Sequence, residues 1–285
     1  MVYPPVFSSN ILNQISTMVV ILQVHNIFGA NTNISQDIRI INGSYAFYQE
    51  HFSYQVSLSK FGQHFCGGTI LNLEYIVTAA HCIYNNRRPS DITVNLGSLK
   101  QGLGVRRKVT DIFMHPGYDN KNLRHDIAIL KIPSLGNFTN FIKNITLPDS
   151  SPKAGTNCTV AGWGVTETSD SGTLHLKYAK VPIISTPRCR ASYKDQLKKE
   201  MFCAGYLEGG SDACQGDSGG GLICDQILTG VVSWGHECGE KYYPGVYTDV
   251  FYYKDWIRSK SNCLKLISSH LIIFICLFIN LLLLK

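Results

Sequence analysis

Among its 285 residues the chain has no CxxC pair and no HxxxH pair, so the spacings that usually hold zinc are missing. No internal repeat and no low-complexity stretch is present, which excludes solenoids and disordered arrays. The run Asn95 to Lys108 contains no Asp or Glu and four basic residues. A calcium loop, which needs hard anionic oxygens, is therefore not expected there. No Lys or Arg precedes Arg39, so the apolar run Met18–Ala30 lacks a basic flank. It still ends in small residues, as a secretory leader does, and Met18 offers a second start. Helical periodicity is scarce: only "VFYYKDWIRSK", Val250 to Lys260, reads as a helix.

Ten cysteines are more than a reduced cytosol ordinarily carries, and they imply an oxidising compartment with disulfides. The net charge is +6, with basic residues gathered at Arg87–Arg88, Arg106–Lys108 and Lys177–Lys199. Aromatic residues are not interleaved with them in a nucleic-acid pattern, so these runs read as solvated surface. From about residue 40 to 250, short runs rich in Val, Ile, Thr and Tyr are punctuated by Gly, Pro, Asn and Asp. "YQVSLSKF" alternates, and the whole pattern indicates an all-β sandwich or barrel pair. "LPDSSPKAGTN", Leu147 to Asn157, divides it into two similar halves. At the end of the chain, Leu271–Leu284 has only Asn280 as a polar residue. Counted from Leu266, the apolar run would reach about 28 Å as a helix. It fits a spanning helix or a glycolipid-anchor signal equally. Asn-x-Ser/Thr acceptors occur at Asn33, Asn42, Asn137, Asn144 and Asn157, of which Asn137 and Asn144 flank the linker.

The chemistry-bearing stretch is "SDACQGDSGGG", residues 211–221. A serine hydroxyl attacks only with a base in hydrogen-bond reach, and the base needs an orienting carboxylate. His81 in "TAAHC" and Asp126 in "HDIAILKI" supply those types. With Ser218 they fall in the order His, Asp, Ser. An esterase would want its GxSxG turn on an α/β pattern, which the β context does not provide. A module that only binds would have no need of the three together, and all three are retained.

With "RIING", "CGGTILN", "TAAHC", "DIAILK", "AGWG", "CAGY", "DACQGDSGG", "VSWG" and "PGVYTDV" in this order, residues 40–260 resemble the trypsin-like serine proteases. The resemblance implies two six-stranded antiparallel β-barrels with a C-terminal helix. It implies a trypsin-like serine endopeptidase with catalytic His81, Asp126 and Ser218, and an oxyanion hole from the amides of Gly216 and Ser218. It places Asp212, Ser233, Trp234, Gly235 and Gly245 at the substrate-binding pocket. An acid at Asp212 favours Arg or Lys at the cleavage position. It implies a zymogen: cleavage after Arg39 frees the ammonium of Ile40 to pair with Asp217. Four disulfides follow from the same matching: Cys66–Cys82, Cys158–Cys224, Cys189–Cys203 and Cys214–Cys238. Cys263 and Cys276 are left over.

The expected organisation is a signal-like segment at 1–30, an activation propeptide at 31–39, a peptidase domain at 40–260 and a hydrophobic anchor at 261–285. Expected partners are protein or peptide substrates and protein protease inhibitors, with no nucleic acid, no cofactor and no metal. The chain is expected to act as a monomer, extracellular, and secreted or tethered to a membrane through its tail.

Overall fold

The computed structural model describes residues 43–85, 88–165 and 172–261. The expected leader, the propeptide with Arg39 and Ile40, Asn33, Asn42, Cys263, Cys276 and the anchor beyond Ser261 lie outside the described residues. Among the described residues no helix is long and apolar enough to cross a membrane.

The strands are short and separated by turns, as their β-branched runs and Gly/Asn breaks require. In chain order they are β1 (Ser44–Tyr45), β2 (Gln55–Lys60), β3 (Gln63–Ile70), β4 (Tyr75–Thr78), β5 (Ile92–Leu96), β6 (Val105–Lys108), β7 (Asp111–Met114) and β8 (Ala128–Lys131). There follow β9 (Asn157–Gly162), β10 (Lys177–Pro182), β11 (Met201–Ala204), β12 (Gly221–Cys224), β13 (Ile227–Trp234) and β14 (Gly245–Asp249). They form two antiparallel sheets of seven strands, ordered β6-β5-β2-β3-β4-β8-β7 and β1-β10-β9-β12-β13-β14-β11.

Each sheet curls into a barrel of six effective strands. In the first, β6 and β7 are the two arms of one chain segment bent at Val109–Thr110. The Val109 N–H donates to Ile92 O and the Thr110 N–H to Lys131 O, so the bend ties both edges of the sheet together. In the second, β1 is an outlying two-residue addition. Closure there runs from the end of β10 to β11, through the bridge Ile183–Ala204 and the bond from Ile184 N–H to Cys203 O, 2.8 Å. Closure removes the unpaired edges that would otherwise template aggregation.

The first barrel fills with Val56, Leu58, Ile70, Ile76, Val94, Ile129 and Leu130, all inaccessible to solvent. The alternation of β2 has a second meaning, because its polar face is buried as well. Gln55 donates from Nε2 to Ala161 O (3.0 Å) in the second barrel, and the Ser57 hydroxyl bonds His64 Nδ1 (2.8 Å). The face that would meet water in an open sheet meets the other barrel instead. Trp163 also reaches across, its indole N–H donating to Leu99 O at 3.0 Å. The segment Leu147–Thr156 joins the barrels without regular structure.

Among the described residues three α-helices are present where the sequence pattern indicates one. α1 (Ala80–Tyr84) and α2 (Thr186–Tyr193) escape periodicity because one is five residues long and the other buries only Cys189 and Tyr193. α3 (Lys254–Ser261) begins four residues after Val250, since Phe251–Tyr253 form a turn held by the Asp249 carboxylate. All four disulfides are formed: Cys66–Cys82, Cys158–Cys224, Cys189–Cys203 and Cys214–Cys238.

Candidate active site

Strand β4 is entirely buried and delivers α1, whose second residue is His81. The disulfide from Cys82 to Cys66 fastens this helix to β3. Asp126 lies two residues before β8, the neighbour of β4, and is 1% exposed. The His81 imidazole donates from Nδ1 to Asp126 Oδ2 at 2.7 Å, and the His81 backbone N–H donates to Oδ1 at 2.8 Å. This bond fixes the tautomer and leaves Nε2 as the acceptor. Burial works against a charged imidazole, yet the Asp126 charge and hydrogen bond outweigh it and hold His81 above its ordinary value.

The second barrel completes the support of Asp126. Ser233 on β13 donates its hydroxyl to Asp126 Oδ2 at 2.5 Å, and Thr248 on β14 donates to the Asp126 carbonyl at 2.8 Å. The sequence reading places Ser233 at the substrate pocket by its backbone segment and assigns its side chain nothing. The hydroxyl's partner lies 107 residues away in sequence, and no local signal announces it.

Ser218 sits on the turn between Asp212 and β12. Its carbonyl accepts the Gly67 N–H at 2.8 Å, which sets the turn against the strand that carries Cys66. Among the described residues no hydrogen bond joins Ser218 Oγ to His81. The structure thus brings the imidazole and the carboxylate together in a hydrogen-bonded pair. The Gly216 carbonyl is pinned too, accepting from His64 Nε2 at 2.9 Å. His64 is held below its ordinary value by burial, against the pull of that bond, and acts as a neutral donor whose Nδ1 accepts from Ser57. With both carbonyls engaged on the inner side, the amides of Gly216 and Ser218 make no bond to a described residue. Gly216 has φ +94°, and a Cβ there would stand 2.9 Å from Gly164 Cα. Only glycine fits that turn.

A cavity of about 180 Å³ is lined by both Ser218 and Asp212, with Ser233, Trp234, Gly235 and Gly245 around it. Asp212 is 3% exposed. Its carboxylate accepts the Ala213 N–H at 2.8 Å and the Gly239 N–H at 3.1 Å. Burial nevertheless pushes it up to about 7, those two bonds opposing and Asp217 adding to the rise. A Cβ at Gly245 would meet Asp212 Oδ1 at 2.7 Å, so this position admits the carboxylate only as glycine. Asp217 is fully buried and accepts from Gly164 N–H (2.8 Å) and Cys214 N–H (2.9 Å). Burial raises it to about 6 against those two bonds.

Residues 40–257 match the family model described as Trypsin. The chain is similar to a trypsin of Xenopus laevis, 40% identical over 240 residues that cover 82% of this chain and 95% of the relative. It is similar to serine protease 1 of Homo sapiens, 41% identical over 226 residues, 77% of this chain and 88% of the relative. A trypsin of Sus scrofa is 40% identical over 223 residues, 76% and 94% of the two chains.

Proposed function

The chain belongs to the trypsin family and is a trypsin-like serine endopeptidase, and on that premise we propose that it cleaves after Arg or Lys once matured by cleavage after Arg39. The observation that carries the specificity is a nearly inaccessible carboxylate, Asp212, lining the same cavity as Ser218. An unpaired buried acid is costly, and a guanidinium or ammonium entering the cavity relieves that cost.

In this reading Ser218 Oγ attacks the scissile carbonyl as His81 Nε2 takes its proton. Asp126, held by Ser233, keeps the imidazole in its tautomer and stabilises the imidazolium. The oxyanion is received by the amides of Gly216 and Ser218. His81 then returns the proton to the leaving amine, and water repeats the sequence on the acyl-enzyme. The bond between Ser218 Oγ and His81 Nε2 would form as substrate binds or as the loop matures.

Maturation acts through Asp217. The freed ammonium of Ile40 would meet a buried carboxylate that has only two backbone N–H partners, and the pair would order the Gly216–Ser218 turn. The four disulfides fit an exported protein. We extend the proposal to export through residues 1–30 and tethering through 261–285. Asn137 and Asn144, both exposed, would be open to glycosylation.

The test is cleavage at Arg39 followed by profiling on a peptide library. Turnover confined to bonds after Arg and Lys, appearing only after cleavage, is the expected result. Activity equal in the uncleaved chain, or a preference for aromatic residues, would remove the reading.

A further inference from the structure

The segment between β13 and β14 carries His236, Glu237 and Glu240, none of which the reaction uses. His236 Nδ1 lies 2.7 Å from Glu240 Oε2, and ligand-capable atoms of all three residues lie within 4.8 Å of one another. One imidazole and two carboxylates form a donor set suited to Zn²⁺, leaving a fourth position for water. We propose that this segment is a divalent transition-metal site, of Zn²⁺ type, on the wall of the specificity pocket, and that an ion held there weakens substrate binding. The regulatory half rests on the endopeptidase reading above; the binding half does not.

The segment is braced for such a role. Cys238, between the two glutamates, is tied to Cys214. Gly239 donates to Asp212 Oδ2 at 3.1 Å, and its carbonyl accepts the Gly210 N–H at 2.9 Å. The His236 ring stacks on Tyr243, with centroids 4.6 Å apart and planes at 25°. The backbone and the imidazole are thus restrained, while half-exposed side chains remain reachable by an ion.

The position gives the ion an effect. His236 and Glu237 line the same cavity as Asp212 and Ser218. Without the ion, Glu237 adds negative charge to the lining, which draws in a cationic substrate side chain. A dication cancels that charge, and its pull on Glu240 is transmitted through Gly239 to Asp212. The expected consequence is a higher KM for Arg substrates with kcat unchanged. The other His/Cys group, Cys66, His81 and Cys82, carries no such site, because both sulfurs are spent in a disulfide. One His combined with two acids in an HExxE spacing has neither the CxxC nor the HxxxH pattern whose absence spoke against a metal.

Zn²⁺ itself is the probe. Calorimetric titration of the full chain is expected to give one Zn²⁺ per molecule, and both His236→Ala and the nearly isosteric Glu240→Gln are expected to weaken it about ten-fold or more. On the matured enzyme, Zn²⁺ should raise KM for an Arg-amide in the unmodified protein and leave KM of His236→Ala unmoved. Zn²⁺ affinity unchanged from the unmodified chain in either variant, or no binding to the unmodified chain, would overturn the site. Weakened binding in the variants with no change in KM would overturn the regulatory half. A Zn²⁺ effect on kcat that persists in His236→Ala would place the ion at His81 instead. If the chain hydrolysed no peptide, the endopeptidase reading would fail while the calorimetry still decided the site.

Discussion

The first barrel, among the described residues, buries one charged side chain, Asp126; the second buries Lys177, Glu200, Asp212, Asp217 and Asp249. The first holds one disulfide and the second three. Asp126 receives three donors on its two oxygens, from His81 twice and from Ser233. Asp212 and Asp217 receive two backbone N–H groups each, and burial lifts them to about 7 and about 6. The first barrel therefore presents a finished pair, a base with its orienting anion. The second presents two buried acids held only by backbone N–H groups, and in the proposed reading each awaits a cation, from the substrate in one case and from a new amino terminus in the other.

The comparison breaks first at the nucleophile. Ser218→Ala is expected to lower kcat on an Arg-amide by about 10⁴- to 10⁶-fold, with the thermal midpoint unchanged. Turnover within ten-fold of the unmodified enzyme would detach Ser218 from the chemistry. Asp212→Ser comes next. It is expected to lower kcat/KM for Arg-amides on the order of 10³-fold, because the substrate cation would be buried without its partner. The same substitution should stabilise the free protein at pH 8, where the raised Asp212 carboxyl would otherwise ionise in a buried setting. Asp126→Ala should destabilise, since it strips donors of their acceptor. If both substitutions moved stability in the same direction, the contrast between saturated and waiting acids would be wrong.

The disulfides sharpen the contrast in stability. Cys158–Cys224 closes 66 residues of the second barrel, whereas Cys66–Cys82 closes 16 of the first. Chain entropy predicts that the Cys158→Ala, Cys224→Ala pair costs about 1 kcal/mol more than the Cys66→Ala, Cys82→Ala pair, each pair costing about 3–5 kcal/mol. Denaturant unfolding at matched redox state would measure it.

What could be read from the sequence follows the range of the contacts. His81, Asp126, Ser218, Asp212 and four of the eight paired cysteines, Cys66, Cys82, Cys203 and Cys214, sit in the local strings that carry the resemblance, and the pairing of all eight was implied by it. The strands were legible from β-branched runs. The bend at Val109–Thr110 was not, because closure depends on two partners, Ile92 and Lys131, about twenty residues away in opposite directions. The alternation in β2 was legible, but not that its polar face meets the other barrel. Ser233 to Asp126 and His64 to Gly216 span 107 and 152 residues, and both join one barrel to the other. The interface is where sequence periodicity is silent, since either face of a strand can be turned to water or to a neighbour.

Ser233 makes that interface measurable. Ser233→Ala removes a hydroxyl of the second barrel from the carboxylate of the first and leaves both barrels packed. A hydrogen bond to a charged group is worth about 1.5–3 kcal/mol, so kcat is expected to fall about ten-fold or more with KM nearly unchanged. A change confined to KM would mean that Ser233 serves the substrate through its backbone alone.

The smallest effect separates the two barrels by pH. His81 belongs to the first, and its proton affinity is raised above the ordinary value, so kcat should fall as pH drops through that raised value, where the imidazolium can no longer accept a proton. Asp212 belongs to the second and protonates in the empty pocket near 7. A bound Arg side chain holds it ionised, so Asp212 should leave kcat alone and act on KM. With a carboxyl at about 7, KM for an Arg-amide is expected to be about four-fold higher at pH 6.5 than at pH 8.5. Asp212→Ser, assayed on a substrate with an uncharged side chain, should keep the kcat limb and lose the KM limb. A KM that stays flat from pH 8.5 to pH 6 would mean that Asp212 is already ionised when the pocket is empty. The second barrel's acid would then be as settled as the first barrel's, and the division between a finished site and a waiting one would reduce to Asp217 alone.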